Sequence, residues 1–304
     1  MRTLRCSLFA LAALVVAAAA AEGPRPQTVT LTASDGVKIV GDYYAPKADA
    51  RPAPMVILLH MYRSNRHAFE PLIGPLHEAG FAVLAIDMRG HGDSATPELE
   101  RRVRQRDTQI FEDMVRDVRA AYDFLAGRKD EVDRSRFAVV GASVGCSVAL
   151  RYAAKDRSVD CVVCLSPGLN YLGLDSRRDI AHIRGRRILL ISPGSERKSS
   201  ETLARLAPEK DRVQVRIAPG RSHGTRMFGV IGNIEQDVAQ FLKEGVGGPT
   251  DRKQWVYGSI HSEVYHVAGC PWIERIKPTN LRVYSSVEEA RARGLREDRS
   301  KRKP

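Results

Sequence analysis

The sequence predicts an α/β fold: a doubly wound, mainly parallel sheet, followed by a small α+β unit. Three observations predict it. Between residues 27 and 244 short β-branched runs alternate with helical stretches, and repeated βα units build a parallel sheet covered on both faces. Several of the runs are continuously apolar, the pattern of strands buried on both sides. The reactive side chains fall just after such runs, at the carboxyl ends of strands, where open α/β sheets bind their ligands.

Residues 29–32 and 38–44 flank Ser34, Asp35 and Gly36, a turn signal, and predict an antiparallel hairpin. Residues 55–59 predict a buried strand, 68–79 a helix stopped by Gly80, and 82–86 the next strand. Ile110, Met114, Val118 and Tyr122 recur at helical period and predict a helix over 109–125. Strand 137–140, helix 144–154, strands 161–165 and 188–191, helix 200–207, strand 213–217 and helix 231–243 complete the domain. This main domain spans 22–244, residues 245–251 read as a Gly-rich linker, 252–297 as a separate small unit, and 298–304 as a basic tail.

Residues 1–21 have the pattern of a secretory signal. Arg2 and Arg5 give a positive start, residues 8–16 an apolar centre, and Ala19, Ala20 and Ala21 a cleavage site before Glu22. The expectation is an exported protein, periplasmic or secreted, with no stable membrane insertion after cleavage. The alternative is an uncleaved anchor, because the apolar stretch approaches the roughly 20 residues of a spanning helix. An apolar content of 43% excludes a disordered chain. The formal charge is +12, but acidic and basic residues are interspersed, which points to a solvated surface and no nucleic-acid partner. Cys146, Cys161, Cys164 and Cys270 follow the signal. Cys161 and Cys164 are three apart on one strand and point to opposite faces, which argues against a disulfide or shared metal.

The chemistry concentrates at three strand ends. A strand runs into Gly141-Ala-Ser143-Val-Gly145 and then an apolar helix, the context that makes G-x-S-x-G a nucleophile elbow. The turn is so tight that the residues two before and two after the serine must lack bulk. The N–H of Val144, at a helix N-terminus, is poised to donate to an oxyanion. A serine hydroxyl needs a base, and His223 follows the last long strand, whence it reaches back over the sheet. For the acid that orients the imidazole, Glu196 follows strand 188–191, and Asp175, after the preceding strand, is its rival. The loop Asp87-Met-Arg-Gly-His-Gly-Asp93-Ser94 reads as a Gly-rich segment beside the pocket, held by its own polar side chains. Arg101, Arg102, Arg104 and Arg106 follow it, as an exposed lead-in to a helix or as a lure for anionic substrates.

LLHMYRSNRHAF (58–69), DMRGHGDS (87–94), GASVG (141–145), ISPGSE (191–196) and GRSHGTRMF (220–228) stand in one order across residues 27–244. In this they resemble the α/β-hydrolase superfamily, in particular its dienelactone-hydrolase-like esterases. The resemblance implies a serine hydrolase that cleaves carboxylic esters through an acyl-enzyme, with no cofactor and a small ester as substrate. It implies a second oxyanion donor from the backbone after His60, which maps to Met61 or to Tyr62. Many relatives carry Gly at that place and Asp where Glu196 stands. Dienelactone hydrolases proper use Cys as nucleophile, so the lactone does not carry over. A peptidase, or a non-catalytic adapter on a hydrolase scaffold, is the competing expectation; oligomeric state is not legible.

Residues 256–297 resemble the zinc module of the Ada DNA-repair protein, through the YH…CPW start and the YSSVEEARARG helix. His266 and Cys270 occupy two ligand-like positions, but Asp298 and Lys301 stand where a closing pair belongs. Two ligands make a poor structural site, so the resemblance implies a metal-free unit.

Overall fold

The computed structural model describes residues 23–246, 256–267, 270, 272, 275, 276, 280–284 and 287–298. The expected signal, the linker beyond Val246, and the tail beyond Asp298 lie outside them.

Alternation in the first two runs gives β1 (Gln27–Thr32) and β2 (Lys38–Tyr44), antiparallel, with Gly36 at φ 84° in the turn between them. Continuous apolar runs give β3 (Ala53–Leu59) and, after α1 (Glu70–Glu78), β4 (Ala82–Ile86), buried along their whole length. Then come α2 (Pro97–Arg104), α3 (Thr108–Ala126), β5 (Val132–Ala142), α4 (Val144–Lys155) and β6 (Val159–Leu165). A small hairpin of β7 (Asn170–Tyr171) and β8 (Leu174–Asp175) leads into α5 (Ser176–Ile180). The domain closes with β9 (Arg187–Pro193), α6 (Arg197–Leu206), β10 (Val213–Ala218) and α7 (Ile234–Gly245).

The strand order is β1-β2-β4-β3-β5-β6-β9-β10, antiparallel at the β1-β2-β4 edge and parallel from β4 to β10. Two cores follow from strand alternation. Met55, Ile57 and Leu59 pack with α3, α4 and α6 on one face, Val56 and Leu58 with α1 and α7 on the other. Cys164 and Cys161 fall in these two separate cores, as the three-residue spacing requires.

Helix α2 was not expected: the sequence reads as loop and lead-in there. Its cause is capping. Thr96 accepts from Leu99 N, Pro97 opens the helix, Glu98 and Glu100 sit in the first turn, and three arginines sit in the last. Only Val103 is buried, so apolar periodicity gave little signal. Strand β5 begins at Val132 rather than 137, because Val132 pairs with Ala53 across a register shift. Helix α7 continues through Gly245, the first residue of the expected linker; Gly245 lies against Cys161, where a methyl would collide with the sulfur.

A separate small sheet is built from β11 (Val256–Ser259), β12 (Val264–Val267), β13 (Leu281–Tyr284) and β14 (Arg296–Glu297), with α8 (Val287–Ala292) between the last two. Its order is β13-β11-β12-β14, around Val256, Tyr265 and Ala290. His266 Nδ1 lies 3.6 Å from Cys270 Sγ and 3.1 Å from Asp298 Oδ2. Among the described residues no group of three His, Cys, Asp or Glu is arranged to hold a metal ion. None of the described helices is long and apolar enough to cross a membrane.

Candidate active site

Ser143 stands between β5 and α4 at φ 53°, ψ −116°, a conformation that costs on the order of 1–3 kcal/mol. The turn is fixed from both ends. A methyl on Gly141 would overlap the Gly145 carbonyl, and one on Gly145 would overlap the backbone of Leu59 and His60. The Ser143 amide donates to Leu165 O at 2.9 Å, and Cys146 N donates to Ser143 O at 3.0 Å. Helix α4 buries Val144, Val148, Leu150 and Tyr152 beneath the turn, each worth about 1.5–3 kcal/mol, which outweighs the strain. The Cys146 thiol, pushed well up by burial and by Cys164, stays protonated and donates to the carbonyls of Gly141 and Leu165 at 3.2 Å. It is part of the turn's support.

His223 lies in the loop after β10, with its Nδ1 2.6 Å from Glu196 Oε1. A carboxylate only accepts, so Nδ1 carries the proton and Nε2 is left as the basic nitrogen. Glu196 ends the short turn after β9, and its Oε2 is buried without a protein partner. The histidine loop is anchored at Gly224, whose N–H donates to Ser166 Oγ at 2.9 Å. Gly224, at φ 59°, lies against the Met61 thioether, and a methyl there would sit 3.6 Å from Ala142 Cβ. The loop therefore reaches the residue that precedes Ser143.

Asp175 goes elsewhere. It caps α5, accepting from Arg177 N at 3.1 Å, and pairs with the Arg177 guanidinium at 2.9 Å. That guanidinium holds its carboxyl below the usual range.

Val144 opens α4, so its N–H has no intrahelical acceptor. Met61 follows β3, and its carbonyl accepts from His60 Nδ1 at 2.7 Å and Ser64 N at 3.2 Å. His60 Nε2 in turn accepts from Met88 N at 3.0 Å. Complete burial, with His91 beside it, pushes the His60 pKa down to about 3. The ring is thus a neutral brace that fixes the Met61 peptide. Tyr62, the other donor position, sends its hydroxyl to Val103 O and packs its ring near His91 and Phe111.

The Gly-rich loop is held by its own side chains and by partners from outside. Asp87 accepts from Arg66 N at 2.7 Å, from Asp93 N at 2.8 Å and from the Arg66 guanidinium, which also reaches Asp42 and Asp93. Arg89 pairs with Asp35 and Asp117; burial pushes Asp117 up to about 6 against the pull of that arginine. Ser94 Oγ accepts from Val40 N. These ties consume the loop's charges. Of the basic run, Arg101, Arg102 and Arg104 are in ion pairs with Glu98, Asp107 and Glu100, which weakens its case as a lure for anions.

Two further residues shape this end of the sheet. Ser166, buried at φ 60°, donates its N–H to Ile191 O at 2.7 Å while its hydroxyl holds Gly224. Tyr171 brings its hydroxyl 3.5 Å from Ser166 O. Ser166 follows a strand end, the rule that found the others, but Tyr171 reaches the site only through its hairpin.

A family model described as serine aminopeptidase, S33 (Hydrolase_4) matches residues 50–212, more than half of the chain. The chain belongs to this family. The match holds Ser143 and Glu196, and His223 lies beyond its end. The Hydrolase_4 chain is 32% identical over 120 residues to a monoacylglycerol lipase of Mycolicibacterium smegmatis, covering 40% of this chain and 39% of the lipase. It is 29% identical over 132 residues to an uncharacterised Mycobacterium tuberculosis protein, covering 43% and 42%. The alignments thus span less than half the length of these relatives. In fold it is similar to a dienelactone hydrolase from Anabaena variabilis (TM-score 0.56, 22% identity, 73% of this chain, 96% of that one). It is likewise similar to an esterase from Pyrococcus furiosus (TM-score 0.57, 24% identity, 74% and 94%). With these neighbours the α/β-hydrolase fold is established.

Proposed function

We propose that this Hydrolase_4 chain is a serine esterase that works through an acyl-enzyme, with Ser143, His223 and Glu196 as its triad. The observation that carries the reading is the 2.6 Å contact between Glu196 and His223 Nδ1, made at the same sheet end as the strained Ser143 turn. His223 Nε2 takes the Ser143 proton as Oγ attacks the ester carbonyl. The N–H groups of Val144 and Met61 hold the oxyanion, and Glu196 steadies the imidazolium. Collapse releases the alcohol, and water activated by the same histidine releases the acid. No step calls for a cofactor.

The family description names an aminopeptidase, which keeps peptide hydrolysis as the second reading. An aminopeptidase needs a structure that recognises the free amino terminus. The connection between β6 and β9 offers only the β7–β8 hairpin and the short α5. That economy, and the names of the lipase and esterase neighbours, favour esters. Export after trimming near Ala21, and a metal-free C-terminal unit like the Ada module, belong to the same proposal.

Ser143→Ala should lower p-nitrophenyl acetate turnover by about three orders of magnitude or more, with an unchanged circular dichroism spectrum. Cleavage of aminoacyl-p-nitroanilides but of no ester by the wild type would favour the peptidase reading instead.

A further inference from the structure

Tyr171 is held beside Ser143 by a small, tightly fixed device. Asn170 and Tyr171 pair with Asp175 and Leu174 across a two-residue turn in which Leu172 and Gly173 both have positive φ, 53° and 90°. That is the geometry of a primed hairpin turn, which sets strand register closely. The tip is seated: a methyl on Gly173 would strike the Thr108 side chain, and Leu174 is fully buried. The base is tied: Ser176 N donates to Leu169 O at 3.0 Å, and Ser176 and Ser147 share a 2.8 Å hydroxyl contact. The Tyr171 ring lies over Gly168, where any side chain would overlap it. Its hydroxyl donates to the carbonyl of Ser166 at 3.5 Å, a long bond that a substrate oxygen within reach would replace. The preceding carbonyl, Leu165 O, accepts from the Ser143 amide.

Burial pushes the phenol up to about 12, with Cys146 and Glu196 adding to it and a side-chain hydrogen bond from Ser143 pulling back. Tyr171 therefore remains a neutral O–H donor at any working pH.

The strand order sets the side of Ser143 on which this donor stands. Met61 comes from the end of β3, on one side of β5; Tyr171 follows β6, on the other side, toward the strands that carry Glu196 and His223. With the carbonyl oxygen held by the Met61 and Val144 N–H groups, a leaving group on the β6 side of Ser143 would lie toward Tyr171. Building on the esterase reading above, we propose that the Tyr171 hydroxyl binds the leaving-group oxygen and tunes the site for esters of aliphatic alcohols.

When the tetrahedral intermediate collapses, the bond from carbonyl carbon to alkoxy oxygen breaks and its electron pair goes to that oxygen. The oxyanion re-forms the carbonyl. The alkoxy oxygen receives its proton from the His223 imidazolium, and Tyr171 donates a hydrogen bond while keeping its own proton. An alkoxide develops strong charge at that oxygen and gains from the donor. A p-nitrophenolate spreads its charge over the ring and gains little.

The test is Tyr171→Phe in the full chain, assayed on ethyl acetate by pH-stat and on p-nitrophenyl acetate by absorbance. The proposal expects kcat/KM for ethyl acetate to fall roughly ten-fold or more, the scale of one lost hydrogen bond to a charged group. Turnover of the p-nitrophenyl ester should fall markedly less, because its leaving group draws little from the donor, and the fluorophosphonate should still label to the same stoichiometry. A parallel loss on both esters would mean a structural role, and no loss on either would mean no role; each overturns the proposal. A wild type inert toward both esters removes the esterase reading itself, a result separable from an active wild type indifferent to Tyr171.

Discussion

Glu196 and Asp175 are the two carboxylates between which the residue pattern left a choice, and their surroundings differ in kind. Glu196 touches His223, whereas Asp175 caps α5 and pairs with Arg177. Glu196→Gln is therefore expected to leave a folded protein with kcat lowered on the order of 10²- to 10⁴-fold, through the wrong tautomer and an unsupported imidazolium. Asp175→Asn should keep kcat within about two-fold, since asparagine also caps helices. Steady-state kinetics on both variants checks the pair; a larger loss in Asp175→Asn would reverse the assignment. His60 makes a pH prediction. Its folded value is depressed to about 3, so above pH about 6.5 the ring is neutral in both states and adds no pH dependence. As pH falls below that, the unfolded chain takes up a proton that the folded chain refuses. Stability should fall by about 1.4 kcal/mol per pH unit from this group alone, down to its folded value. Urea midpoints between pH 7 and 4.5 should decline more steeply in wild type than in His60→Gln; equal slopes would contradict it. At this scale Ser143, His223 and Glu196 stand out as candidates in the sequence because each follows a strand, and strand ends converge in this architecture. Tyr171 was not, because its place depends on the Gly173–Thr108 contact, which no local pattern announces.

Among the elements, the elbow and the histidine loop are joined by groups that carry no chemistry themselves. Ser166→Ala leaves the buried Gly224 N–H unpaired, at a cost of about 1–3 kcal/mol, and frees the loop that carries His223. The expectation is a lower Tm together with a lower kcat, while fluorophosphonate labelling slows but persists. Differential scanning fluorimetry beside a labelling time course separates this from loss of fold; an unchanged Tm and kcat would show that the tie does not matter. The strands were legible in the sequence because burial on both faces leaves an unbroken apolar run, as in β3 and β4. Polar elements were not. Helix α2 buries only Val103, and its signal was the Thr96-Pro97 start, a capping pattern rather than a periodicity. The β7–β8 hairpin, with strands of two residues, is too short for alternation to show.

For the whole molecule, the sequence separated a hydrolase domain from a small second sheet, and both are present as distinct hydrogen-bonded sheets. A second unit is suggested in the sequence because Gly247, Gly248 and Pro249 interrupt the pattern and the βα alternation stops before them. The role of the second unit was not readable, since its resemblance rests on a motif whose closing ligands are replaced by Asp298 and Lys301. Elemental analysis of the purified chain should find no stoichiometric zinc; zinc that disappears in Cys270→Ala would contradict the metal-free proposal. N-terminal sequencing of natively expressed protein should begin near Glu22, whereas a mature chain starting at Met1 would refute export by a cleaved signal. Whether Ser143 is an activated nucleophile can be measured directly. The full chain is treated with a fluorophosphonate probe, digested, and the adduct mapped by mass spectrometry. A single adduct is expected on the peptide containing Ser143, absent in Ser143→Ala and strongly slowed in His223→Ala. No adduct on the folded wild type, or the same labelling in Ser143→Ala, would contradict it.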